Sequence, residues 1–141
     1  MYTKSKSKNK YIVECMILSE FPRIVSFMVD TGATYTCCSA ANIDTSFREE
    51  IFKGHEFRIF GGIVPNIGIK FYKYHAKQFT IGTVDSGERD IWITFDKMAT
   101  LDLLGIDILQ DIAYFHNPQK KELYFYQDLE EMQNHIKNFS L

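Results

Sequence analysis

Apolar and β-branched residues fall in short runs divided by turn-forming residues, and few runs repeat with a helical period. Residues 11–18 and 23–29 are two such runs joined by Glu20-Phe21-Pro22, which predicts two strands and a turn. Residues 67–74 place Ile67, Ile69 and Phe71 at alternate positions before an aromatic end, the two-residue period of a strand. Residues 78–81 and 91–95 read as a hairpin closed by residues 82–90, and residues 123–126 as a further strand after the turn at Asn117-Pro118. Helical spacing occurs twice: a short helix over 106–111, and a terminal one in which Leu129, Met132, Ile136 and Phe139 share a face. Residues 40–57 show no clear period and are read as loop with a helical turn. The chain is therefore expected to be mostly β, without internal repeats or low-complexity segments.

A chain of 141 residues is most simply one domain, and at that size about two-thirds of the unfolded surface can be buried. The expected organisation is a flexible basic N-terminal tail over residues 1–10, a folded domain over 11–126 and a C-terminal helical extension over 127–141. The first nine residues read as a mobile terminus or a cleavable leader. A net charge of −2 argues against nucleic acid as a partner, because Lys4, Lys6, Lys8 and Lys10 make only a short basic stretch. No run approaches the roughly 18 apolar residues of a membrane span, and Glu14 and Cys15 interrupt residues 11–18. There is also no apolar core followed by a small-residue cleavage site, so a cytoplasmic location is expected.

Cys15, Cys37 and Cys38 form an odd set with two adjacent members, which fits reduced, packed thiols better than a disulfide framework. His55, His75, His116 and His135 are scattered, with no His-Glu-x-x-His and no Cys-x-x-Cys, so no metal is expected.

The chemistry-bearing segment is Asp30-Thr31-Gly32-Ala33, directly after the apolar residues 24–29. Alone it reads as a strand-terminating turn, since these are ordinary turn residues. Two later segments change its weight. Leu103-Leu104-Gly105-Ile106-Asp107-Ile108-Leu109 is an apolar pair, a glycine and an apolar run holding one carboxylate, and Phe60-Gly61-Gly62-Ile63-Val64-Pro65-Asn66-Ile67-Gly68 is glycine-rich and apolar. Taken in chain order across residues 12–126, the Asp30, Phe60 and Leu103 segments resemble the catalytic loop, flap hairpin and strand-Gly-helix segment of retropepsin-like aspartic proteases, in their cellular and bacterial branch.

The resemblance implies a single-lobe acid-protease fold, a closed barrel with a short helix after Leu104-Gly105 and a C-terminal helix. It implies an aspartic endopeptidase acting on a peptide or protein substrate, without metal or organic cofactor. Such catalysis needs two carboxyl groups sharing one proton, because like charges about 3 Å apart cannot both ionise. One chain offers one half-site, so the dyad is expected from Asp30 of two subunits in a homodimer. Thr31 would then lock the opposing loops together, Gly32 would accept a hydrogen bond from substrate backbone, and Ala33, Leu103, Leu104 and Gly105 would support the loop. Phe60, Gly61, Gly62, Ile63 and Val64 would form the substrate-binding flap.

Departures from the viral members are Thr34-Tyr35 and Ile106, where those carry acidic residues and an arginine, and Pro65, which stiffens the flap and cannot donate a backbone hydrogen bond. Asp85-Ser86-Gly87 matches a second accepted triplet, but the stretch from Asp30 is too short for a complete lobe and Glu88-Arg89-Asp90 follows where an apolar cradle is required. Asp85 is therefore read as a hairpin turn residue. The terminal helix is expected to cap the core or extend the dimer interface. The alternative function is a non-catalytic dimer of the same fold that binds extended peptides. A phosphate loop of the Asp-x-Gly-x-Thr kind is remote, because it needs two domains and a second loop.

Overall fold

The computed structural model describes residues 2–7, 10–43 and 48–138. Where a basic tail is expected, Tyr2–Ser7 form a strand, β1, so the tail is replaced there by a ladder segment. Its partner β2 (Lys10–Leu18) runs on into β3 (Pro22–Val29), and this antiparallel hairpin registers Ile12 on Met28 through to Leu18 on Pro22. Alternation orients the pair: Val13, Cys15, Ile17, Val25 and Phe27 are buried, while Glu14 and Ser26 are exposed.

After the short β4 (Cys37–Ser39), the segment without a clear period holds two single helical turns, α1 (Ala40–Ile43) and α2 (Glu49–Phe52). A long hairpin follows, β5 (Phe57–Val64) and β6 (Ile67–Ala76), with a register shift between Phe60 and Val64. Its two-residue turn is Pro65-Asn66, and Asn66 takes φ 61°. Proline fixes a negative φ at the first central position and asparagine tolerates the left-handed one at the second.

The hairpin expected between residues 78–81 and 91–95 does not form. Instead β7 (Gln78–Ile81) folds back at once on β8 (Val84–Asp85) across Gly82-Thr83, with Gly82 at φ 58°, and also pairs with β2. A tight glycine turn leaves β9 (Arg89–Thr94) free to pair antiparallel with β6 and parallel with β4. Then β10 (Leu103–Leu104) slots between β3, to which it is parallel, and β4, to which it is antiparallel. The short helix α3 (Ile106–Leu109) follows as expected, before β11 (Ala113–Asn117), the turn after Asn117, and β12 (Glu122–Tyr126).

The resulting strand order is β11-β12-β1-β2-β3-β10-β4-β9-β6-β5, with β7 and β8 branching from β2. Among the described residues this path does not return on itself, so the expected closed barrel is not found. Its ends, β11 and β5, pair on one side only.

Two apolar clusters fill the fold. The larger contains Phe27, Phe79, Leu104, Ile108 and Phe125; the smaller, with Cys37, Ile69, Phe71, Trp92 and Leu103, has Phe60 and Ile63 of the long hairpin packed against it. The C-terminal helix α4 (Leu129–Lys137) is capped by Asp128, whose carboxylate accepts from the Glu131 N–H at 2.8 Å, while Glu131 accepts from the Gln127 N–H. It rests on β11 and β12 with none of its residues fully buried, and His135 bonds the Tyr126 hydroxyl. Phe139 of the expected helical face, like Lys8 of the basic stretch, lies outside the described residues.

Phe27 is fully buried on the strand that leads into Asp30, and its ring meets Phe79 at 5.7 Å. Phe27→Ala is expected to lower stability by about 3–5 kcal/mol, read as a drop in the urea midpoint without a change in slope.

Candidate active site

The loop at the end of β3 is set by its own residue types. The Asp30 carboxylate accepts the Gly32 N–H at 2.9 Å and the Asp30 carbonyl accepts the Ala33 N–H at 3.1 Å, which turns the chain within three residues. Both ends of this turn are tied to the segment after β10. Asp30 N–H donates to the Leu104 carbonyl at 3.0 Å, and Ile106 N–H donates to the Ala33 carbonyl at 2.8 Å.

Gly105 sits between these two bonds. A β-carbon there would lie 2.7 Å from the Tyr35 carbonyl carbon and 2.8 Å from the Ala33 oxygen, so space demands glycine although φ is an ordinary −95°. Gly105 N–H donates to Thr36 Oγ1 at 3.0 Å, and that hydroxyl donates to Asp107 at 2.7 Å. The same carboxylate accepts the Thr36 N–H at 3.0 Å and the Ile108 N–H at 2.9 Å. Asp107 is thus bonded to both the loop and α3. Nearby, Asp102 accepts from the Ser39 N–H and Asn42 Nδ2 at 2.9 and 3.0 Å. Burial raises its carboxyl above the usual range, opposed by those two bonds.

Facing the loop is the β5–β6 hairpin. A cleft of about 370 Å³ lies between them, with Asp30, Gly32, Ala33 and Leu103 on one side and Phe60, Gly61, Gly62 and Ile63 on the other. Among the described residues Asp30 is its only lining carboxylate, and is half-buried. Tyr35 and Cys37 also line it. The hairpin is seated by aromatic contacts: Tyr35 stacks on Phe60 at 5.2 Å and 3°, and Trp92 meets both edge-on. Gly62 takes φ 84°, a conformation that side chains disfavour. A wider cleft of about 600 Å³ around Phe52, His55 and Tyr74 includes no residue of the Asp30 loop.

The expected site residues therefore divide. Asp30, Gly32, Ala33, Leu103, Phe60, Gly61, Gly62 and Ile63 meet at one cleft. Leu104 and Gly105 stand behind the loop and hold it, Val64 packs into the small apolar cluster, and Thr31 is exposed. Sequence reasoning gave no role to Tyr35, Thr36, Trp92 or Asp107. Thr36 and Asp107 are 71 residues apart, and their pairing shows only in the two hydrogen bonds that Thr36 gives the carboxylate.

Among the described residues no group of three or more His, Cys, Asp or Glu is placed to hold a metal ion, and no helix is long and apolar enough to cross a membrane. All three cysteines are free and buried. Burial pushes the Cys37 thiol up to about 12, assisted by the charges of Asp102, Asp107 and Asp30, and raises Cys15 and Cys38 as well.

These thiols stay protonated far above the ordinary range, so iodoacetamide at pH 8 is expected to leave all three unmodified in the native protein and to label them in urea, as read by mass spectrometry. Asp107→Asn replaces an acceptor of three hydrogens by a group with one acceptor oxygen and an opposed donor. A loss of about 1–3 kcal/mol is expected in chemical unfolding.

No protein-family model and no curated protein matches the sequence. Among solved structures, the crystal structure of a retropepsin-like aspartic protease from Rickettsia conorii matches with a TM-score of 0.60 at 14% sequence identity, over 89% of this chain and 88% of that one. The chain has a retropepsin-like fold.

Proposed function

We propose that the protein is an aspartic endopeptidase that acts as a homodimer, with Asp30 of each subunit supplying half of the catalytic dyad. The observation that carries this reading is the placement of the Asp30 carboxylate, the only one among the described residues that lines the cleft, on a loop tied at both ends opposite a glycine-rich hairpin. The retropepsin-like fold supports it.

In this reading a peptide lies extended between loop and hairpin as an added strand, its main chain giving affinity and its side chains selectivity. One Asp30 carboxylate takes a proton from a water held between the pair as that water attacks the peptide carbonyl carbon. The protonated carboxyl of the other subunit gives its proton to the carbonyl oxygen. Proton return to the amide nitrogen then lets the C–N bond break. A substrate N–H would donate to the Gly32 carbonyl, and the exposed Thr31 is available to a partner's loop. The Gly-Gly stretch at residues 61–62 lets the hairpin backbone approach the peptide closely. The reduced state expected of the cysteines supports a cytoplasmic setting.

Cleavage of a mixed peptide library at several pH values and high protein concentration, by wild type and Asp30→Asn in parallel, tests the proposal, with sedimentation to follow dimers. Cleavage is expected from wild type alone, reduced at least about 10³-fold in Asp30→Asn while dimers persist. Folded dimers that bind peptides and cut none would establish the non-catalytic reading instead. A rate that survives Asp30→Ala would overturn the mechanism.

A further inference from the structure

We infer that Arg58, near the start of β5, is a specificity-determining residue that receives an acidic side chain of the peptide bound in the Asp30 cleft. The inference rests on that cleft being the peptide site.

The Arg58 guanidinium is held in place. Its central carbon lies 5.2 Å from the ring centroid of Tyr35 and 5.2 Å from that of Trp92, and one terminal nitrogen donates to the Tyr35 hydroxyl. A guanidinium has several donors in a rigid fork, and this bond uses one of them. Clamped on two aromatic rings, the rest are pre-oriented, so an incoming carboxylate orders little that is not already ordered.

Arg58 opens on a second cleft, of about 360 Å³, that adjoins the Asp30 cleft at Tyr35, a residue lining both. The other cations of this second cleft have carboxylate partners. Lys73 lies 2.9 Å from Glu56 and 3.7 Å from Asp90, and Arg89 lies 2.7 Å from Asp111. Glu88 and Asp90 both reach His75, whose protonated form the bond to Asp90 favours, and Asp107 is taken by Thr36. Among the described residues Arg58 has no carboxylate partner, which makes it the unmatched cation of the pocket.

Strand geometry gives the position. Arg58 and Phe60 are two residues apart on β5 and share a face, both contacting Tyr35 and Trp92. A peptide lying alongside presents alternate side chains to that face. The acidic side chain therefore belongs about two residues further from the scissile bond than the one that packs on Phe60.

The test uses Asp30→Asn protein, so that bound peptide is not consumed, and fluorescein-labelled octapeptides of apolar sequence carrying Glu or Gln at one position at a time. Glu is expected to bind about tenfold more tightly than Gln at one fixed position, as a charge-assisted hydrogen bond provides, with the advantage falling as salt rises. Added Arg58→Gln should abolish the ratio, Arg58→Lys should keep part of it, and Arg58→Glu should shift the preference to Lys. The readout is the Glu-to-Gln ratio, which a merely loosened hairpin lowers for neither peptide selectively. Equal binding of Glu and Gln peptides at every position, a ratio that survives Arg58→Gln, or no peptide binding at all would overturn the inference. Failure of the protease reading shows separately, as no cleavage by the protein with Asp30 intact, while the ratio is still measured.

Discussion

The Asp30 loop keeps its shape because a second, distant segment lends it a backbone. The carbonyl of Leu104 and the N–H of Ile106 take the loop's outer groups, and Gly105 between them leaves no volume to spare. Backbone bonds of this kind are possible only because β10 enters the sheet parallel to β3, which brings residue 104 level with residue 29. That entry in turn separates β3 from β4 and makes room for Thr36 to reach Asp107. A loop carrying a carboxylate needs such outside support, since its own turn satisfies only two of its N–H groups. The buried Thr36 and Asp107 of α3 complete that support.

The local periodicities were well legible. Apolar, β-branched runs marked β2 and β3 and alternation marked β6, each within a residue or two, and the helical face at Leu129, Met132 and Ile136 marked α4. What stayed hidden was pairing. Residues 78–81 and 91–95 are strands, but nothing in their composition says that β7 prefers the nearer β8 and the distant β2. The three-residue β4 and the two-residue β10 are too short to show a period, and both owe their existence to neighbours. β11 escaped notice because its side chains are only half-buried. Of the site, the loop and hairpin residues were legible as motifs, whereas Tyr35, Thr36, Trp92 and Arg58 carry no local signal and matter through contacts made across the sheet.

The hairpin shows a division of labour along one strand pair. Toward its base, Phe60 stacks on Phe71 and Tyr35, so this part moves only if aromatic surface is given up. Toward its tip, Gly61, Gly62, Pro65 and Asn66 are all exposed, and the register shift lies between Phe60 and Val64. Bulges and glycines at a strand tip loosen pairing there while the base stays seated. The same hairpin is thus seated by aromatic contacts at its base and exposed at its tip.

Asp30 and Asp85 show why a triplet alone decides little. Each is the first residue of an Asp-x-Gly turn, and in each the glycine N–H donates to the aspartate side chain, at 2.9 Å and 2.8 Å. The side-chain bond is shared, although Gly87 takes φ 80° and Gly32 does not have a positive φ. Their surroundings differ entirely. Gln78 donates to the other oxygen of Asp85, so both carboxylate oxygens are used within the hairpin, while the Asp85 backbone N–H and carbonyl bond Gln127 just before α4. Asp30 is fixed through its backbone by Leu104, and beyond the Gly32 bond its carboxylate faces the cleft. Both aspartates are held through their main chains, but among the described residues Asp85 engages both carboxylate oxygens and Asp30 only one. The difference comes from the strand that lies beside each turn, a property of topology that no four-residue pattern contains.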